Sequence, residues 1–195
     1  GELALDLLLA LGAPITSEIA TALYVAILTD TGSFQYSRVT PLTHQRLARL
    51  LQAGVDTDMV TREVYRSGQA ASLRLVGHLL SQLHFESEHP AKVVWSQLSL
   101  ADLEHFQVAP EETQFFVDEL DRVGGSEVIL FLRQAEPNLV KISLRSRGRA
   151  VNQVAARFGG GGHSKAAGCR IAGTLDEARV QVLEALAQEF SQPTA

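Results

Sequence analysis

The chain has 195 residues, 46% of them hydrophobic, and a formal charge of −5. That length and apolar content allow one large domain or two small ones, each with a buried core. No apolar run nears the roughly 18 residues of a bilayer-spanning helix, the charge argues against a protein that coats duplex nucleic acid over its whole surface, and a single cysteine, Cys169, excludes an intramolecular disulfide.

Glu2 to Leu11 carries Leu and Ala at helical spacing and stops at Gly12, Ala13 and Pro14. A second helix is expected to open near Ser17, and the nearly unbroken apolar run from Ile19 to Leu28 predicts a buried helix or a helix-to-strand stretch. Thr40 and Pro41 read as the next helix start, with Leu42, Leu47, Leu50 and Leu51 as apolar positions and Gly54 as the stop. Further helical patterns cover Asp58 to Tyr65 and Ala70 to Leu83, the second of them a natural connector. The pattern then changes. Lys92 to Trp95, Val128 to Arg133, Leu139 to Leu144 and Ala167 to Ile171 are strand candidates, and Ala101 to Val123 holds helical segments. Val151 to Phe158 is a helix running into a glycine cluster, Leu175 to Phe190 is a closing amphipathic helix, and Ser191 to Ala195 is expected to fray. The fold class is α/β: a mostly helical part (1–66), a connector helix (67–84) and a separate α/β domain (85–195).

Two places carry chemistry. Gly159 to Gly162 remove every Cβ from four successive residues, which lets main-chain N–H groups face an anion and lets a ligand approach the backbone. His163 supplies a donor at the rim, and Ala166, Ala167 and Gly168 keep the opposite wall small. A bare glycine run is equally well a flexible linker. Here it sits between a helix and a strand, near a stretch that holds Lys141, Arg145, Arg147, Arg149, Arg157, Lys165 and Arg170 and no Asp or Glu. The acidic chain thus carries a local cationic site suited to a compact anion. The second place is Thr29 to Tyr36, where Asp30 ends the apolar run with Gly32 two residues on; the pattern serves either a carboxylate for a divalent cation or a turn in which Asp30 accepts local hydrogen bonds. His84, His89 and His105 read as surface residues, and Trp95 and Cys169 as core.

The stretch Gly160 to Gly168 matches in full the glycine-histidine signature of the DHH-associated domain, and Val140 to Gly148 resembles that domain's substrate-facing strand. The chain therefore resembles the back part of a DHH-family phosphoesterase. Ala22 to Thr40 is similar to the last metal-ligand motif of that family's nanoRNase and pAp-phosphatase group. The resemblance implies that Asp30 ligates one of two manganese ions, while Arg145, Ser146 and Arg147 contact phosphate and Gly160, Gly161, Gly162 and His163 complete the cradle, with Ala166 and Ala167 as its small wall. It implies hydrolysis of short RNA and of 3′-phosphoadenosine 5′-phosphate; the single cysteine, the lack of a basic region ahead of an apolar segment and the short apolar runs are what point to a cytoplasmic setting without membrane association, and a homodimer is compatible with the sequence. The paired aspartates and the Asp-His-His triplet of the family are absent, so this chain alone is expected to be inactive. Alternatives are a RecJ-like single-strand exonuclease, a dinucleotide phosphodiesterase of the same superfamily and, from another class, a nucleic-acid-binding module like the end of alanyl-tRNA synthetases. The Thr29-to-Tyr36 motif speaks against the last, and the glycine-histidine signature against a DHH-type inorganic pyrophosphatase.

Overall fold

The computed structural model describes residues 1–36, 39–113 and 116–191. Contacts divide the chain into two units, Gly1–Gly68 and Gln69–Ala195.

The first unit is helical. Its described elements are α1 (Glu2–Ala10), α2 (Ser17–Asp30), α3 (Pro41–Gln52) and α4 (Thr57–Tyr65). Thr16, Thr40 and Asp56 open α2, α3 and α4 by accepting a hydrogen bond from a main-chain N–H in the first turn, which satisfies donors that have no partner within a helix. The run from Ile19 to Leu28 is helix throughout. It is apolar nearly all round because Ala20, Leu23 and Ile27 bury against Leu5, Leu47 and Leu50, while Leu28 is buried as well. Arg46 on α3 reaches Asp6 and Glu2 one turn apart on α1, and hydrogen bonding to Arg46 holds the Asp6 carboxyl below its usual range.

The second unit is a six-stranded sheet between helices. Its strands are β1 (His84–Glu86), β2 (Val93–Leu98), β3 (Val128–Glu136), β4 (Leu139–Ser146), β5 (Gly161–His163) and β6 (Ala166–Ala172), in spatial order β1-β2-β3-β4-β6-β5. Among the described strands only β2 and β3 pair in parallel, and the crossover between them carries α6 (Leu100–Phe106), a 3₁₀ turn (Pro110–Thr113) and α7 (Phe116–Leu120). With α5 (Ala70–Ser81), these helices bury Leu75, Leu79, Leu103, Phe116 and Leu120 against Val94, Ile129 and Phe131 on one face. On the other face α8 (Asn152–Arg157) and α9 (Leu175–Ser191) pack Val154, Val182 and Leu186 against Trp95, Leu130, Ile142, Leu144 and Cys169. Period-2 alternation is what divides each strand between these two cores.

The helix read as a connector packs inside the second unit, where Ser96 also donates to the Leu79 carbonyl. Two strands were not expected. β1 and β5 are three residues each, one polar and one glycine-rich, and such segments lack the β-branched signature of a strand. β2 starts one residue later than expected because Lys92 has φ 42°, and it runs on to Leu98. His89 is a structural link rather than a surface residue: its ring bonds the Leu183 carbonyl on α9 and the Ala91 N–H. His84 is exposed but lies parallel on Trp95, 4.0 Å between centroids, and Trp95 itself is core. Among the described residues no helix is long and apolar enough to cross a membrane. The expectation of fraying lies, beyond Ser191, outside the described residues.

Candidate anion-binding site

Strand register assembles the site. Across β3, β4, β6 and β5 the residues Phe131, Ser143, Gly168 and Gly161 are cross-strand partners in one row. Ile129, Arg145, Ala166 and His163 form a second row, and Arg133, Lys141 and Arg170 a third. Partners in a row share a face, and so do residues two apart along a strand. All three rows therefore lie on the face opposite Val140, Ile142 and Leu144, which are buried under α8 and α9. Over β3 this face is roofed by α5 to α7, from which Asp118 also reaches Arg145 on β4; among the described residues the rest of the face over β4, β6 and β5 is open.

The open part is a concave site of about 460 Å³ lined by Lys141, Ser143, Arg145, Gly160, Gly161, Ala166, Gly168 and Arg170, together with Phe158 and neighbouring main chain. Among the described residues its rim has three cations and no acid, and its floor is one hydroxyl on a surface almost free of side chains. Gly160 and Gly168 are required sterically: a Cβ on Gly160 would lie 2.2 Å from the Gly168 carbonyl oxygen, and one on Gly168 would lie 2.8 Å from that of Ile142. Gly162 has φ 140°, a backbone region that side chains avoid. Gly161 meets nothing and simply leaves the floor bare. Because β5 is an edge strand, its outer side also presents main-chain N–H groups that no strand pairs with. Arginine forks, an ammonium, a hydroxyl and main-chain N–H groups form a donor set for phosphate or carboxylate.

The expected phosphate contacts separate into three environments. Arg145 lines the cavity, with Nε and Nη2 donating to Asp118 Oδ1 at 3.1 and 3.0 Å. Ser146 falls on the opposite face, 8% exposed, where its hydroxyl donates to the Arg149 carbonyl at 2.6 Å and accepts the Gly148 N–H, closing the turn after β4. Arg147 pairs with Asp121, both with its carboxylate at 3.4 Å and with its carbonyl, away from the cavity lining. Burial, the largest influence on Asp121, pushes its carboxyl up, and Arg147 beside it pulls the other way. Ala166 faces the open side, whereas the Ala167 side chain belongs to the core although the residue borders the cavity. His163 is exposed at the end of the Arg145 row, beyond the lining. Lys141 and Arg170, expected only as members of the basic stretch, line the cavity, and Ser143 is a site residue that the sequence did not single out. Their signal was present as the alternation of Lys141, Ser143 and Arg145 with Ile142 and Leu144, which marks one face polar.

In the first unit, Asp30 is the last residue of α2 and its side chain is 66% exposed. Beyond it Gly32, Ser33 and Phe34 all have positive φ, 55°, 58° and 67°. This tight turn is held by Thr31, which donates to the Ile27 carbonyl at 2.7 Å and accepts the Phe34 N–H at 3.2 Å, and by a 2.5 Å bond between the Ser33 and Tyr65 hydroxyls. Asp30 borders a hollow of about 230 Å³ with Gly1, Glu2, Leu3, Ile27 and Thr31. Ser37, in the expected metal-ligand stretch, lies outside the described residues.

Residues 91–192 match the DHHA1 domain family. The bifunctional oligoribonuclease and PAP phosphatase NrnA of Thermus thermophilus is 38% identical over 190 residues, covering 96% of this chain and 56% of that protein. The protein of the same name from Bacillus subtilis is 24% identical over 160 residues, 82% of this chain and 50% of that one. In structure, an exopolyphosphatase-related protein from Bacteroides fragilis superposes with a TM-score of 0.89 at 30% identity, over 97% of this chain and 56% of that one. The chain thus spans about half the length of the curated relatives it matches. DHH-family phosphoesterases are metal-dependent, but among the described residues no group of three His, Cys, Asp or Glu side chains is arranged to hold a metal ion. Asp30 alone does not make such a site, and the described residues carry no metal-borne step.

Proposed function

The chain belongs to the DHHA1-domain family, and from that premise we propose that it is the substrate-holding part of a phosphohydrolase acting on short oligoribonucleotides and on 3′-phosphoadenosine 5′-phosphate. One observation carries the reading: Lys141, Arg145 and Arg170 ring a floor of Ser143, Ala166, Gly161 and Gly168, with no acidic side chain among the described residues of the lining. Such a rim selects a phosphate, because guanidinium forks match its oxygens, and a floor without side chains lets a flat base or a ribose lie against main chain. The names of the relatives supply the substrate class. In the proposal Asp30 contributes one carboxylate to a manganese centre completed by residues that this chain does not provide, and the protein works in the reducing cytoplasm, where the buried Cys169 stays a thiol.

The test is equilibrium binding of fluorescent dinucleotides to the purified chain at low salt. A 5′-phosphorylated diadenylate should bind at least about tenfold more tightly than the same dinucleotide without the phosphate, the equivalent of one charge-assisted hydrogen bond. Adenosine 3′,5′-bisphosphate should displace it, and raising the salt should weaken it. Equal affinity with and without the phosphate would sink the proposal.

A further inference from the structure

Arg145 does not stand alone at the rim. Its Nε and Nη2 both donate to Oδ1 of Asp118, at 3.1 and 3.0 Å, and its Nη1 donates to the Leu144 carbonyl at 3.3 Å. A guanidinium has five N–H donors, so three bonds leave two, one on each terminal nitrogen. The side edge of the fork, Nε with Nη2, is occupied, and each terminal nitrogen keeps one N–H.

Asp118 is well placed to hold that aim without standing in the way. Its side chain is 56% exposed while that of Arg145 is 24% exposed, and Asp118 is not part of the cavity lining although Arg145 is. The carboxylate thus sits on the solvent side of the guanidinium. Its helix is anchored on both sides of it, since Phe116, Val117 and Leu120 of α7 are all buried. A flexible arginine gives up rotamer freedom when it binds; one already fixed by a carboxylate on a rigid turn gives up less.

We infer that Asp118 is a positioning residue: it fixes the Arg145 side chain so that its free terminal N–H groups serve a phosphate in the cavity. The inference rests on the proposed phosphate-holding function. It implies that the acceptor oxygen of Asp118 matters and its charge does not, because the charge itself opposes an incoming anion.

The experiment compares Asp118→Ala with Asp118→Asn in the full 195-residue chain, using 5′-phosphorylated diadenylate and its unphosphorylated form as probes, with thermal melting followed in parallel. Asp118→Ala should bind the phosphorylated probe about three- to tenfold more weakly, the range of an ordering contact of this kind. Asp118→Asn keeps an oxygen for both N–H groups and should bind it as well as the unsubstituted chain or slightly better. The unphosphorylated probe should distinguish neither variant. Tighter binding by both variants would show that Asp118 masks Arg145, and unchanged binding by Asp118→Ala would show that the pair only supports the fold; either overturns the inference while the unsubstituted chain still prefers the phosphorylated probe. If the unsubstituted chain shows no such preference, the proposed function fails and the inference falls with it.

Discussion

The two ends of the sheet in the second unit are built on the same strand pattern and have different fates. At β2 and β3 both faces are roofed, so Val94, Ile129 and Phe131 bury on one side and Val93, Trp95 and Leu130 on the other. At β4, β6 and β5 only one face is fully roofed by the described residues. Val140, Ile142, Leu144, Cys169 and Ile171 fill it, while Lys141, Ser143, Arg145, Ala166, Gly168 and Arg170 look out from the other. The strands extend past the reach of α5 to α7, and the anion site is what stands on the uncovered remainder. One strand, β4, therefore serves stability with its even-numbered residues and recognition with its odd-numbered ones.

The sharpest way to break that comparison is to put side chains where the floor has none. A Cβ on Gly160 would lie 2.2 Å from the Gly168 carbonyl oxygen and 2.5 Å from Cys169 Cβ, contacts that only a movement of β6 can relieve. Gly160→Ala should cost about 1 to 3 kcal/mol of stability, as overpacking does, and should abolish binding of phosphorylated dinucleotides. Gly161→Ala meets no atom within 4 Å, so its stability should stay within about 0.5 kcal/mol while the filled floor weakens binding. Urea denaturation and probe binding on both variants decide it. Equal stability losses would mean that the glycines are merely a strained turn.

The next test separates the rim from the core. Arg145→Ala removes a charged donor from the cavity and should weaken the phosphorylated probe by about ten- to a hundredfold, the worth of one hydrogen bond to a charged group. His163→Ala, exposed and two places further along the row, should lose less. Arg149→Ala should show the opposite balance, because Arg149 donates to the Phe190 and Glu189 carbonyls at the end of α9 and its guanidinium lies 4.9 Å over the Phe190 ring. Stability should fall by about 1 kcal/mol with the bound fraction of folded protein unchanged. A binding loss at Arg149 as large as at Arg145 would erase the distinction between the faces.

A smaller effect reports on the roofed face alone. Burial pushes the Cys169 thiol up to about 11 from its ordinary 9.0. The folded-state value is the higher one, so the neutral thiol contributes its full share below about pH 9, and that share is lost as the pH rises toward about 11. Comparison with Cys169→Ala cancels the other alkaline titrations. The variant should be less stable at neutral pH, because it leaves a small cavity, and the gap should narrow between about pH 9 and 11. A constant gap in urea denaturation would mean that the thiol is solvated in the folded chain.

Much of this was legible in the sequence, for identifiable reasons. The strands β3, β4 and β6 and the helices α8 and α9 carry strong periodicity, and the glycine-histidine stretch marks the floor. Two kinds of fact were not legible. β1 and β5 are short and lack propensity of their own; they are strands because a neighbouring strand offers an edge, which is a tertiary cause. The division of Arg145, Ser146 and Arg147 among cavity, core and the Asp121 pair follows from alternation, but the identity of Asp118 as a partner does not, because it lies 27 residues away in sequence. In the first unit the same limit shows at Ile19 to Leu28, where an all-apolar run fits helix or strand and only packing against α1 and α3 selects the helix.

In the first unit Asp30 shares its hollow, among the described residues, with one further carboxylate, Glu2, which is tied to Arg46. Asp30 ends α2 and is 66% exposed, where the negative end of the helix dipole disfavours a carboxylate by about 0.3 to 1 kcal/mol. Asp30→Asn should therefore leave thermal stability unchanged or slightly raised, because the turn beyond it is held by Thr31, Ser33 and Tyr65 rather than by Asp30. A loss above about 1 kcal/mol would make Asp30 a turn residue. Manganese titrated into the chain supplies the complement: one exposed carboxylate should bind it no more tightly than about 1 mM, the weak end of carboxylate sites. A micromolar site that Asp30→Asn removes would show that this chain alone completes a metal centre, and the contrast between a self-sufficient anion site and an incomplete carboxylate site would be lost.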